Sequence, residues 1–157
     1  MKVDALPEEH FFATLLNATY WFDDAFQLNM EEMGFARMTR MESFVIVNIA
    51  AGEQRAIEIA RKLGVTRQAI SQILKDFEER GWITVRQDPT DRRARIVSFS
   101  DPFAKHGRMC AQIVRGLVRE LEGRIGTKAV DAFRSALAAD WGEPPLLTIV
   151  RKARRAA

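Results

Sequence analysis

The chain has 157 residues, 47% of them apolar and 29% charged, with a formal net charge of +3. This is the length of one domain with enough apolar side chain to bury a core, which excludes a mainly disordered state. One cysteine, Cys110, leaves no internal disulfide, and two widely separated histidines, His10 and His106, form no cluster with metal-ligand spacing, so neither a metal nor another cofactor is expected. The N-terminal MKVDALPEEH lacks the basic start and apolar stretch of a signal peptide, and the apolar runs are too short to span a bilayer. A cytoplasmic protein without membrane contact is expected.

The small net charge conceals an asymmetry. Residues 1–50 hold 3 basic and 8 acidic side chains, residues 51–100 hold 10 and 7, and residues 101–157 hold 11 and 6. An acidic first third followed by a basic remainder is compatible with a nucleic-acid surface in the middle of the chain.

The first element is a long helix from about Glu8 to Met33. Phe11, Leu15, Phe22, Phe26, Met30 and Met33 recur on one side of it, and His10, Asn17, Trp21 and Leu28 lie well round from them. A helix apolar on two sides has two neighbours, so one face is expected on the protein's own core and the other on a partner chain. A second helix is predicted from Thr39 to Ala51, ending where Gly52 permits a turn. Ile57 to Gly64 reads as a short helix closed by glycine, and Thr66 as the N-cap of the next.

That next helix has two unmixed faces. At roughly 100° per residue, Arg67, Gln68, Ser71, Gln72 and Lys75 fill an arc of about 140°, opposite Ala69, Ile70, Ile73, Leu74 and Phe77. The apolar arc must pack on the preceding short helix, and two short helices joined through a glycine turn make a helix-turn-helix. The polar arc is thereby left exposed with residue types suited to base edges: arginine for guanine, glutamine for adenine, serine for either, and lysine for guanine or phosphate. Acidic residues, Asp76, Glu78 and Glu79, come only in the last turns, away from the end that enters a major groove.

Gly81 stops this helix, and RGWITVRQ and ARIVSFS alternate as the strands of a hairpin, with Ile83, Val85, Val97 and Phe99 facing inward. The turn between them, DPTDRR, carries Arg92 and Arg93 at its tip, with Arg95 just beyond. A guanidinium there can enter a minor groove, and Asp91 is expected to accept hydrogen bonds from a neighbouring arginine and fix its direction. Ser100 or Asp101 can then cap a long helix beginning at Pro102, with Phe103, Cys110, Ile113, Val114, Leu117 and Leu121 on one stripe. After a break at Gly123–Thr127, Val130, Phe133, Leu137 and Trp141 mark a last helix stopped by GEPP. The tail LLTIVRKARRAA is part apolar and part basic.

The run from Ile57 to Ser100, IEIARKLGVTRQAISQILKDFEERGWITVRQDPTDRRARIVSFS, resembles the MarR family of transcriptional regulators. The flanking helices resemble the family's more loosely. The resemblance implies a mostly α fold with a small β-hairpin wing (α+β), one domain over 1–157. Residues 53–100 would form the winged helix-turn-helix, and 8–34 and 101–157 a helical dimerisation region. By position, Thr66, Arg67, Gln68, Ser71 and Gln72 match the family's base- and phosphate-contacting positions, and Asp91 and Arg93 its wing aspartate and arginine. Lys75, Arg92 and Arg95 extend the same surface. One departure stands out: FSDPF puts Phe103 where the family often has glycine, which bears on the angle of the helix that follows.

The function implied is a homodimeric repressor that binds double-stranded DNA at a pseudo-palindromic operator and is released by a small aromatic effector. His10, Tyr20, Trp21, Phe44 and His106 are the candidate effector-pocket residues, with core or interface packing as their plainer role. The apolar stripe around Cys110 argues for burial, which blunts a thiol's reactivity. The alternative function is a winged-helix module that binds protein rather than DNA. No Ser/His/Asp set, phosphate-binding glycine loop or carboxylate pair points to an enzyme.

Overall fold

A computed structural model describes residues 10–91 and 94–146, as seven helices and one hairpin among those residues. The order is α1 (Phe11–Glu32), α2 (Arg40–Ala50), α3 (Ala56–Leu63), α4 (Arg67–Glu79), β1 (Ile83–Gln87), β2 (Arg95–Phe99), α5 (Asp101–Ala104), α6 (Gly107–Ile125) and α7 (Thr127–Ala138). The fold is mostly helical with an antiparallel two-stranded hairpin, as expected. The described residues fall into two compact units, divided between Leu117 and Val118.

Within the first unit one core is built by the middle of the chain. Val45 and Ile49 of α2, Ile59 and Ala60 of α3, Ile70, Leu74 and Phe77 of α4, Ile83 of β1 and Val97 of β2 are buried together. The period of each element decides this, three or four residues in the helices and two in the strands, so every buried side chain falls on one face of its element. Val85 faces Val97 across the hairpin, and Ile83 faces Phe99. A second cluster joins Met30 of α1 to Ile113 and Leu117 of α6, with Phe22, Phe26, Phe35 and Cys110 packed against it.

Polar contacts tie α1 to α2. Arg40, the first residue of α2, pairs with Asp23 at 3.1 Å and Asp24 at 3.0 Å, and its guanidinium lies over the Tyr20 ring, 4.3 Å from the centroid. Ser43 donates to the same Asp23. Gln27 is buried on α1, and its Oε1 accepts from the Met38 amide at 3.2 Å. At the start of α2, Thr39 and Glu42 form a reciprocal capping box, which satisfies two helix-end donors at once.

The long helix expected from Pro102 is interrupted. Ser100 does cap it, its Oγ accepting from the Phe103 amide at 3.2 Å, but α5 ends at Ala104, and α6 begins only at Gly107. Phe103 explains the break. Its ring stacks on Trp82 at 5.4 Å and packs against Phe99 at 5.4 Å, which holds α5 on the base of the hairpin while the chain redirects through Lys105 and His106. The residue that departs from the family pattern is thus the one that sets the turn. The last helix also stops earlier than GEPP: α7 ends at Ala138, and Asp140 Oδ1 accepts from the Gly142 amide at 2.8 Å, a local side-chain turn that competes with helix continuation. Trp141 therefore lies beyond the helix. The tail from Leu147 lies outside the described residues.

Candidate nucleic-acid interface

The helix-turn-helix is closed by a glycine that the geometry requires. Gly64 has φ of +65° at the end of α3, and the Val65 amide returns to Ala60 O at 3.1 Å. A left-handed residue followed by this long return bond ends a helix and reverses the chain in the fewest residues. Thr66 then caps α4, its Oγ1 accepting from the Ala69 amide at 3.1 Å. Gly81, with φ of +71°, repeats the device after α4, where the Trp82 amide returns to Phe77 O at 2.9 Å and turns the chain into β1.

Held this way, α4 buries Ile70, Leu74 and Phe77 and leaves Arg67, Gln68, Ser71, Gln72 and Lys75 exposed. Ala69, assigned to the apolar arc, is exposed at its edge. Arg67, Gln68 and Ser71 make no side-chain hydrogen bond or ion pair among the described residues. Gln72 and Lys75 differ: Gln72 Nε2 donates to Asp76 Oδ1 at 2.9 Å, and Lys75 Nζ lies 3.6 Å from Glu79. The carboxylates placed late in the helix reach back by one turn and hold two members of the polar arc. The free donors are concentrated at the N-terminal end of α4.

On the wing, Asp91 is exposed and its carbonyl accepts from the Ala94 amide at 2.9 Å. Arg95 is exposed at the start of β2, opposite Gln87. Arg92 and Arg93 lie outside the described residues. Two wing residues escaped the sequence reading. Asp88 is buried and its Oδ2 accepts from Arg55 Nη2 at 2.6 Å, while Oδ1 accepts from the Thr90 amide at 2.8 Å and the Thr90 hydroxyl at 2.7 Å. The two Thr90 bonds, with the Arg55 guanidinium, lower the Asp88 carboxyl to about 2. The sequence signal was present in Asp88-Pro-Thr90, a turn in which an aspartate bonds its own backbone two residues on, but its distant arginine was not.

The candidate effector residues are spread over α1, α2 and the α5–α6 junction. His10 is the exposed N-cap residue of α1. Tyr20 lies under Arg40, Trp21 meets Phe22 edge-on at 5.7 Å, and Phe44 is half-buried on α2. His106 sits between Phe35 at 5.1 Å and Phe103 at 5.9 Å, and its buried Nδ1 has no hydrogen-bond partner among the described residues. Burial raises the Cys110 thiol above its ordinary range, in keeping with its place against the α1–α6 cluster.

A two-helix unit with a free cationic and amide surface, followed by a hairpin packed on the same core, defines a winged helix-turn-helix protein. Residues 38–94 match the model described as the MarR family. The Transcriptional repressor CouR bound to a 23-mer DNA duplex is similar, with 22% identity, 86% of this chain and 97% of that chain covered, and a TM-score of 0.64. A mutant MarR from E.coli complexed with operator DNA has 20% identity, covers 85% of this chain and 96% of its own, and has a TM-score of 0.63. A MarR-family transcriptional regulator from Rhodococcus sp. RHA1 has 16% identity, 85% and 94% coverage, and a TM-score of 0.64. No curated protein matches the chain. The match covers the middle of the chain, and the solved structures share the winged-helix fold, so the chain resembles the MarR family over its helix-turn-helix and wing. Among the described residues no helix is long and apolar enough to cross a membrane.

Proposed function

We propose that the protein is a sequence-specific DNA-binding regulator, a repressor that reads a pseudo-palindromic operator as a homodimer and releases it when a small aromatic effector binds. The observation that carries the reading is the exposed N-terminal arc of α4, where Arg67, Gln68 and Ser71 have no side-chain partner among the described residues. These are the groups that hydrogen-bond base edges in a major groove, and Thr66, Gln72, Lys75, Asp91, Arg92, Arg93 and Arg95 continue the surface to phosphate and wing. The relatives solved with DNA, a repressor on a 23-mer duplex and a MarR mutant on its operator, support the same use of this fold.

Dimerisation is supported by apolar side chains that stay exposed among the described residues. Phe11 and Phe12 of α1 are 63% and 72% exposed, and Phe133, Leu137 and Trp141 are exposed in the C-terminal unit. Exposed large apolar side chains on each of the two units are candidates for an association site. A two-fold axis would bring two copies of α4 to successive major grooves, about 34–36 Å apart. Effector release requires a ligand that favours one spacing of those helices over another. The unpartnered Nδ1 of His106 is the group that a ligand hydroxyl would satisfy, with Tyr20, Trp21, Phe44 and His10 as further candidates.

Selection of bound duplexes from random DNA, followed by mobility shifts at several salt concentrations, tests the reading. Two-fold symmetric sites are expected, with affinity falling steeply as salt rises, because phosphate contacts release counterions. Arg67→Ala should cost about 1–3 kcal/mol of binding and relax specificity at one base pair in each half-site. A wild-type protein that binds no duplex in dilute buffer would overturn it in favour of a protein-binding winged helix.

A further inference from the structure

The wing is joined to the helix-turn-helix by more than chain continuity. Gln54 and Arg55, just before α3, run beside β2: the Val97 amide donates to Gln54 O at 2.7 Å, and Arg55 bridges Ile96 in antiparallel register. Arg55 is also the N-cap residue of α3. From that position its guanidinium reaches across to the wing loop and donates to Asp88 Oδ2 at 2.6 Å and Thr90 Oγ1 at 3.4 Å.

Asp88 is the centre of the arrangement. Its side chain is 5% exposed although its neighbours Pro89, Thr90 and Asp91 are exposed, and both of its oxygens are occupied. Its amide donates to Ala94 O at 3.0 Å, which closes the base of the loop. An exposed ion pair would contribute little, whereas a desolvated carboxylate is tolerable only in the one loop conformation that supplies all its donors. The trio therefore acts chiefly to select a single geometry. A loop ordered in advance loses less freedom when it meets a ligand.

We propose that Arg55, Asp88 and Thr90 are positioning residues that lock the wing loop to the start of α3, so that the wing and α4 meet a duplex as one preorganised unit. The proposal rests on the reading of the protein as a DNA-binding regulator. It assigns a role in binding to side chains that need touch no nucleotide.

Two measurements on the full chain test it. Hydrogen exchange on the free protein should show faster exchange at the Asp88, Thr90 and Ala94 amides in Asp88→Asn, with α4 amides unchanged. Thr90→Val, which removes one donor and no charge, should do the same to a smaller extent and serves if Asp88→Asn does not fold. Binding to a selected duplex should weaken about tenfold in Asp88→Asn, the equivalent of one charge-assisted hydrogen bond. That loss should add to the effect of Arg67→Ala but not to that of Arg93→Ala, a pattern general destabilisation would not produce. Unchanged exchange in the wing, or a loss that adds fully to both arginine variants, overturns the proposal. Should the wild type bind no duplex, the regulator reading fails, and wing exchange alone then decides whether the lock exists.

Discussion

At the residue scale, the wing depends on how one carboxylate is kept ionised. Asp88 is lowered from an ordinary value of 3.8 to about 2, first by the Thr90 hydroxyl, then by the Thr90 amide and the Arg55 guanidinium. Because the folded state binds this proton less readily than the unfolded chain, Asp88 stabilises the fold fully above 3.8, and the contribution disappears as pH falls towards about 2. Denaturant unfolding of the wild type and Asp88→Asn across this range should give stabilities that differ near neutral pH and converge in acid. A constant offset at every pH would assign the difference to shape rather than charge. Thr66, Ser100 and Gly64 were legible in the sequence because a cap or a left-handed turn is decided within three or four residues. The Arg55–Asp88 pair was not, since 33 residues separate the partners and neither side chain carries a local sign of the other. The same holds for Arg40 with Asp23 and for the buried Gln27.

At the element scale, α4 does two jobs with two faces, and the two should separate experimentally. Phe77 is fully buried among Val45, Ile59, Ile70 and Val97, so Phe77→Ala should destabilise by about 3–5 kcal/mol in urea unfolding. Arg67→Ala, on the exposed face, should change stability by no more than about 0.5 kcal/mol while weakening binding to a selected duplex by about 1–3 kcal/mol. Equal destabilisation by both would mean that the polar arc is part of the fold and not a surface for a partner. The faces of α4 and the alternation of the hairpin were legible because they follow from element period alone. The break between α5 and α6 was not: the Phe103 stripe with Cys110 and Ile113 suits one continuous helix, and the interruption arises from Phe103 stacking on Trp82. The antiparallel bridge from Arg55 to β2 escaped for a related reason, being too short to show a strand pattern.

At the scale of the whole molecule, the apolar residues that the chain does not cover carry the oligomeric expectation. In the C-terminal unit the α7 stripe Val130, Phe133 and Leu137 is present, but only Val130 is buried among the described residues, and Trp141 beyond the helix is exposed. A helix whose apolar face stays open in one chain needs a second surface. Phe133→Asp combined with Leu137→Asp should shift sedimentation from the mass of two chains to that of one and weaken binding to a symmetric duplex more than to a half-site. A wild type that sediments as one chain at micromolar concentration would remove the homodimer from the proposed function. Sequence alone determined the elements with strong period and clear stops, the two faces of α4 and the resemblance of Ile57 to Ser100, because backbone stereochemistry and side-chain spacing act over a few residues. Only the tertiary structure decided that α5 breaks from α6, that Asp76 and Glu79 hold Gln72 and Lys75, and that Arg55 reaches Asp88. Each of these depends on where a side chain ends once the core has packed, and local spacing carries no record of that.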